Sequence, residues 1–205
     1  LVGLGRARRA LGATAAARVA WDTAAEMGET GGELHARRGN TLIRLRRYPE
    51  AVAAYREALR ANVESVGWRL NLGIALASKG DLDGAIVEFT AAIAIDENCT
   101  EAYGNRGIAR IKQERWTEAI DDFTTAIRLG PPSALAYFNR AHTYFTLGKF
   151  EEGIADYTEV LNLDPKRVDA WINRGVLKEK LDRHEGAILD FQRAIELDSK
   201  SADAH

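Results

Sequence analysis

The stretch AYGNRG at residues 102–107 returns as AYFNRA at 136–141 and as AWINRG at 170–175, each copy 34 residues after the last. A period of this length fixes a chain's organisation before its total size does. Aligned on Gly73, Gly107 and Gly175, with Ala141 in the equivalent place, five consecutive repeats begin at Gly32, Val66, Thr100, Ala134 and Val168, with no insertion. Counting positions 1 to 34 within each repeat, position 20 is small throughout (Ala51, Ala85, Ala119, Gly153, Ala187). Position 24 is aromatic (Tyr55, Phe89, Phe123, Tyr157, Phe191), and position 27 is Ala58, Ala92, Ala126, Val160 and Ala194.

At 100° per residue, positions 1, 4, 8 and 11 fall on one helix face, and they hold Tyr103, Tyr137, Trp171, Leu42, Leu76 and Tyr144. Small residues at positions 8 and 20 let that helix approach a second one closely. Gly80 and Gly148 at position 15 suit the turn between the two, with Arg46, Glu114 and Asp182 serving there in the other repeats. Pro131 and Pro165 sit just past the second helix, where a helix must stop. One such pair cannot bury its apolar stripe alone, so the pairs must stack. The expected fold is an all-α solenoid of stacked antiparallel helix pairs.

This pattern closely resembles the tetratricopeptide repeat, over nearly the whole chain. The resemblance implies a right-handed superhelix with one concave and one convex surface. In this register residues 32–65, 66–99, 100–133, 134–167 and 168–201 are full repeats of a single solenoid spanning 1–205. Residues 1–31 read as a degenerate partial copy, with Gly5, Gly12, Ala17, Trp21 and Ala24 in register, and ADAH at 202–205 as the opening of a further repeat. Both ends thus fall inside a repeat, and the expectation is a piece of a longer array or one without its end caps.

Position 6 lies about 160° around the first helix from position 8, away from the packing stripe. It carries Asn71, Asn105, Asn139 and Asn173, with Arg37 in the first full repeat. Asparagine is a weak helix former and these sit too far inside the helix to be N-caps, so helix stability does not account for them. A carboxamide offers a donor and an acceptor, which is what a peptide backbone presents in return. With helices about 8–10 Å apart and extended chain advancing about 3.3 Å per residue, one rung meets roughly every third residue of a bound strand. The row is similar to the asparagine ladder of the repeat region of O-linked N-acetylglucosamine transferases. That resemblance implies an extended polypeptide held by its backbone in the concave groove. Leu70, Ile74, Ile108, Phe138, His142, Phe145 and Ile172 occupy neighbouring face positions, among Lys112, Lys180, Glu101 and Asp169, and are the candidate contacts for a partner's side chains. Positions 5 and 12 flank the stripe, so for Phe138 and Phe145 burial between helices is an equal reading.

Position 7 is Arg106, Arg140 and Arg174 in the repeats whose position 23 is Asp122, Asp156 and Asp190, which points to an Arg–Asp bridge between the two helices. The carboxylate clamp for Hsp70 and Hsp90 tails is excluded. Asn40 and Asn71 match it, but Ala36, Glu101 and Asn105 stand where it needs cations.

Composition narrows the rest. The formal charge is −2, which gives no footprint for nucleic acid and no polybasic membrane arm. Residues 1–62 are nevertheless net +5 and residues 63–205 net −7, so an acidic partner segment would favour the N-terminal end. The lone Cys99 excludes an internal disulfide and a multi-cysteine metal site, and a reducing, cytoplasmic location is expected. His35, His142, His184 and His205 are scattered over separate repeats, so no catalytic constellation, metal site or cofactor is expected. Three roles remain. The first is a non-enzymatic module binding a protein or peptide segment in the groove; the second is the substrate-selecting arm of a larger, glycosyltransferase-like enzyme; the third is a scaffold stacking end to end.

Overall fold

The computed structural model describes residues 31–202, and these form ten helices: α1 (Gly31–Arg44), α2 (Tyr48–Ala61), α3 (Val66–Lys79), α4 (Leu82–Ile95), α5 (Thr100–Lys112), α6 (Trp116–Leu129), α7 (Ala134–Thr146), α8 (Phe150–Leu163), α9 (Val168–Lys180) and α10 (His184–Ala202). The partial repeat expected before Gly32, with Gly5, Gly12, Ala17, Trp21 and Ala24, lies outside the described residues, as do Asp203, Ala204 and His205. Two compact units divide between Glu97 and Asn98. The first holds α1–α4 and the second α5–α10. Within each, every helix packs against its neighbours in the chain.

Helix limits follow the repeat register. Second helices begin at position 17 in all five repeats, and four of them end at position 30, at Ala61, Ile95, Leu129 and Leu163. Ser65 and Ser133 cap α3 and α7 by accepting from the backbone N–H of Trp68 and Ala136, and Asp81 caps α4 through Gly84. The turn at position 15 is left-handed everywhere, with φ of 97° at Gly80 and 71° at Gly148, and of 57°, 60° and 56° at Arg46, Glu114 and Asp182. One difference stands at the end: α10 runs on to Ala202, through the point where the register expects a turn and a new first helix.

Each pair closes on the ring at position 24. A methyl built on the position-8 glycine would meet that ring at 2.7 Å (Gly39 on Tyr55), 2.5 Å (Gly73 on Phe89), 2.9 Å (Gly107 on Phe123) and 2.7 Å (Gly175 on Phe191). A Cβ cannot fit there. Burial pushes the Tyr55 phenol up to about 12. It does the same to Tyr157, also to about 12, against the opposing influence of Asn173.

The Arg–Asp bridges are present. Asp122, Asp156 and Asp190 are 2–4 % exposed, and each takes a two-pronged guanidinium: Arg106 at 2.7 and 3.1 Å, Arg140 at 2.7 Å twice, Arg174 at 2.7 and 2.9 Å. A second cation from position 11 joins two of them, Arg110 on Asp122 at 2.6 Å and Lys178 on Asp190 at 2.8 Å. Arg140 and Arg174 also donate to Thr124 and Thr158 of the preceding repeat, at 2.9 and 3.0 Å. One arginine thus ties two helices of its own repeat to a third. The same guanidinia lie over Tyr137 and Trp171 at 5.7 and 4.8 Å. In repeat 2, where position 7 is Leu72, Arg69 reaches Glu88 at 3.0 Å from one turn earlier.

Asp156→Ala leaves the Arg140 guanidinium without its carboxylate, and is expected to cost about 3 kcal/mol in chemical denaturation. Glu114→Gly should stabilise by about 0.5–1 kcal/mol, the difference between the left-handed penalty of an L residue and the entropy of glycine. Because the two buried phenols bind their protons more tightly folded than unfolded, stability is full below pH 10 and falls as pH rises through 12. Replacing Tyr55 and Tyr157 by Phe should flatten that part of the stability–pH curve.

Candidate functional site

Repeat position 6 points away from the closing ring, and the structure leaves all four asparagines half-buried. Their carboxamides differ in what they touch. In the first unit, the Tyr55 hydroxyl donates to Asn40 Oδ1 at 2.6 Å, and Asn71 Nδ2 donates to the same oxygen at 3.5 Å. A single acceptor therefore engages both, and Asn71 is held by its own protein. Leu70 is 8 % exposed and belongs to the packing, while Ile74 beside Asn71 is half-buried. Arg37, at position 6 of repeat 1, is exposed.

In the second unit, Asn105 and Asn139 line one pocket of about 300 Å³ between α5, α6 and α7, with Ile108 on its wall and Phe123 and Ala126 at its base. Among the described residues neither carboxamide has a hydrogen-bond partner, although the Asn139 backbone oxygen accepts from Thr143 at 2.7 Å. The two rungs that face this pocket are thus the two that are free. Asn173 differs again, its carboxamide lying near enough to the Tyr157 phenol to oppose the rise in that phenol's pKa. Glu101, exposed on the pocket rim, has no ion-pair partner among the described residues.

The remaining candidates separate by burial. Phe138 is half-buried, edge-on to Tyr157 at 5.4 Å, with the Arg167 guanidinium over its other face at 3.9 Å. Arg167 is itself held by Asp169 at 2.8 Å. Phe145 is 37 % exposed and leans on Phe150 at 6.2 Å. His142 is exposed. Ile172, 43 % exposed, lines a second pocket of about 270 Å³ with Phe191 and Ala194, which correspond in the repeat to Gly104, Phe123 and Ala126 of the first.

Sequence reasoning missed two features. The Tyr55–Asn40–Asn71 chain joins positions 24, 9 and 6 of two repeats, and only the fold brings them together. The pocket, by contrast, had a visible signal. Position 5 is Leu70, Phe138 and Ile172 in repeats 2, 4 and 5 and Ala36 in repeat 1, but Gly104 in repeat 3. Among the described residues no group of three or more His, Cys, Asp or Glu side chains could hold a metal ion, and no helix is long and apolar enough to cross a membrane.

Comparison with known proteins agrees with the geometry. Family models described as tetratricopeptide repeat match residues 36–100, and 134–167 and 168–201, the last two coinciding with repeats 4 and 5. No curated protein matches the sequence. Among solved structures, a crystal structure of MamA is 25% identical, with a TM-score of 0.77 over 80% of this chain and 96% of that one. MamA from Desulfovibrio magneticus RS-1, residue 41 to the end, is 22% identical, with a TM-score of 0.78 over 84% and 97%. YrrB, described as a TPR protein with an unusual peptide-binding site, is 21% identical, with a TM-score of 0.72 over 87% and 92%. Since those models match more than half of its length, this chain belongs to the tetratricopeptide repeat family.

Proposed function

We infer that this chain is a protein-interaction module that holds an extended polypeptide on the face of its first helices, with Asn105 and Asn139 as the principal rungs. A tetratricopeptide repeat array is a protein-interaction scaffold, and the observation that carries the finer reading is the pair of free carboxamides. A half-buried amide without a partner pays part of the cost of desolvation and gains nothing from its own protein. A peptide backbone supplies the missing acceptor and donor together, without regard to side chain. Asn71 and Asn173 are weaker rungs, since each must share or give up an internal contact to take a ligand.

The relatives fit this reading without establishing it. The peptide-binding site in the description of YrrB belongs to that protein, and what it lends here is precedent for a peptide on this fold.

The test is selection of binders from a phage-displayed random dodecapeptide library on the immobilised chain, followed by affinities of synthetic peptides by fluorescence polarisation. Two net hydrogen bonds of about 1 kcal/mol each put the loss in Asn105→Ala/Asn139→Ala at roughly 30-fold. Asn71→Ala/Asn173→Ala should lose under about 5-fold by the same arithmetic. Equal affinity for the wild-type chain and the Asn105/Asn139 variant would overturn the reading, given matching circular dichroism spectra.

A further inference from the structure

The pocket between α5, α6 and α7 lies beside Gly104, at a repeat position that carries Leu70, Phe138 and Ile172 in repeats 2, 4 and 5 and Ala36 in repeat 1. Position 5 of the first helix fills the space over the position-24 ring in repeat 4, where Phe138 stands edge-on to Tyr157. In repeat 2 the same position is Leu70, 8 % exposed. Repeat 3 has Gly104 there, and a methyl built on it meets no atom within 4 Å. The Phe123 ring below is fully buried, yet it bounds a cavity of about 300 Å³, a size at which pockets take ligand groups.

A second absence coincides with the first. In repeat 4 the guanidinium of Arg167, at position 34, roofs Phe138 at 3.9 Å and is held by Asp169 at 2.8 Å. In repeat 3 position 34 is Ser133, which caps α7 and carries no charge. A carboxylate does stand at this pocket: Glu101 lines it, exposed and without an ion-pair partner among the described residues. In the Phe138 assembly the carboxylate, Asp169, stands at position 2 of repeat 5; the corresponding residue beside Gly104 is Leu135, and Glu101 reaches this pocket from position 2 of repeat 3, a carboxylate with no cation of its own there.

We propose that the cavity beside Gly104 takes one large apolar side chain, of leucine or phenylalanine size, from a polypeptide segment that carries a lysine or arginine next to it. The apolar group completes the layer over Phe123, as Phe138 does over Tyr157. The neighbouring cation meets Glu101. This rests on the reading that the first-helix face holds extended polypeptide, and it adds a residue preference to a grip that the carboxamides alone leave indifferent to sequence. Asn105 and Asn139, flanking the cavity, then fix the backbone on either side of the anchor.

Gly104→Leu tests this by filling the cavity from within. Since the added side chain meets open space and replaces a poor helix former, the variant should melt no lower than wild type, and roughly 3 °C higher. Gly104→Met, with a more flexible side chain, serves as the second variant. The probes are the dodecapeptides selected on the wild-type chain. They are expected to share one Leu, Phe, Ile or Met flanked by Lys or Arg, and to bind Gly104→Leu at least about tenfold more weakly, the scale of burying one such side chain. A peptide whose anchor is changed to Ala should bind wild type and Gly104→Leu alike, and Glu101→Gln should erase the preference for the basic neighbour.

Peptides that need Asn105 and Asn139 but share no apolar residue, or bind both Gly104 variants at wild-type strength, would sink the anchor and leave the groove reading standing. Peptides indifferent to Asn105 and Asn139 would sink both. A drop in melting temperature for both Gly104 variants would show the cavity closed in solution and also reject the anchor.

Discussion

A bare α-carbon beneath an aromatic ring decides how each repeat closes. Where position 8 is glycine, the ring at position 24 lies nearer than any methyl would permit, 2.5–2.9 Å from where a Cβ would stand. That approach sets the spacing of the two helices, and the residues beside the contact inherit their geometry from it. Positions 7 and 23 are each one residue before the contact pair, which is why arginine and aspartate meet there with two-pronged geometry. Repeat 4 shows how the constraint is kept when its residue changes. Position 8 becomes Ala141 and position 20, alanine in the other four, becomes Gly153. A Cβ on Gly153 would meet Leu177 at 2.7 Å and the Ala141 backbone oxygen at 3.4 Å. The tightest of these contacts is with the next repeat, so Gly153 makes room for Leu177 as well as for the helix that carries Ala141.

The buried carboxylates add direction to this packing. An aspartate 2–4 % exposed is costly unless fully paired, and each here is paired by a cation that also touches an aromatic face and, for Arg140 and Arg174, a threonine of the preceding repeat. A hydrophobic stripe alone would let one helix pair slide along the next by a turn. The Arg–Thr bond changes partner on such a slide and leaves the guanidinium a donor short, so the ion pairs fix register where the apolar contacts do not. Repeat 2 reaches the same end with Arg69 and Glu88 from a different turn, while repeat 1, with Ala54 at position 23, closes without an acid there.

Much of this is legible in the chain because a period averages out local ambiguity. Position 17 begins all five second helices, although Tyr48, Leu82, Trp116, Phe150 and His184 share little beyond size. Position 15 is read as a turn from Gly80 and Gly148, and Arg46, Glu114 and Asp182 adopt the same left-handed backbone despite the cost, because the flanking helices leave no other path. The Arg–Asp bridges followed from co-occurrence alone. What the chain conceals is the state of each asparagine. Four identical residues at one position suggest one role, but Asn71 depends on Asn40 and Tyr55, Asn173 on Tyr157, and Asn105 and Asn139 on nothing within their unit. That difference arises where side chains of separate repeats meet. The continuation of α10 to Ala202 escaped for the opposite reason, since no local signal there enforces the turn that the period implies.

The repeat design explains why departures from the pattern are the informative positions. Each repeat carries the same obligations to its neighbours, so a residue common to all of them speaks first of packing. A residue that one repeat omits is released from that obligation only if the space can be left open or filled by something else. Phe138 packs against the position-24 ring of its repeat, Leu70 is buried at the same position, and Gly104 carries no side chain there. An apolar cavity bordered by two unpartnered carboxamides is a worse environment for both than a filled one, because the void forfeits dispersion contacts and the amides lack partners. Beside Gly104 the free rungs and the absent side chain coincide, and a bound chain with one apolar residue would satisfy both deficits together.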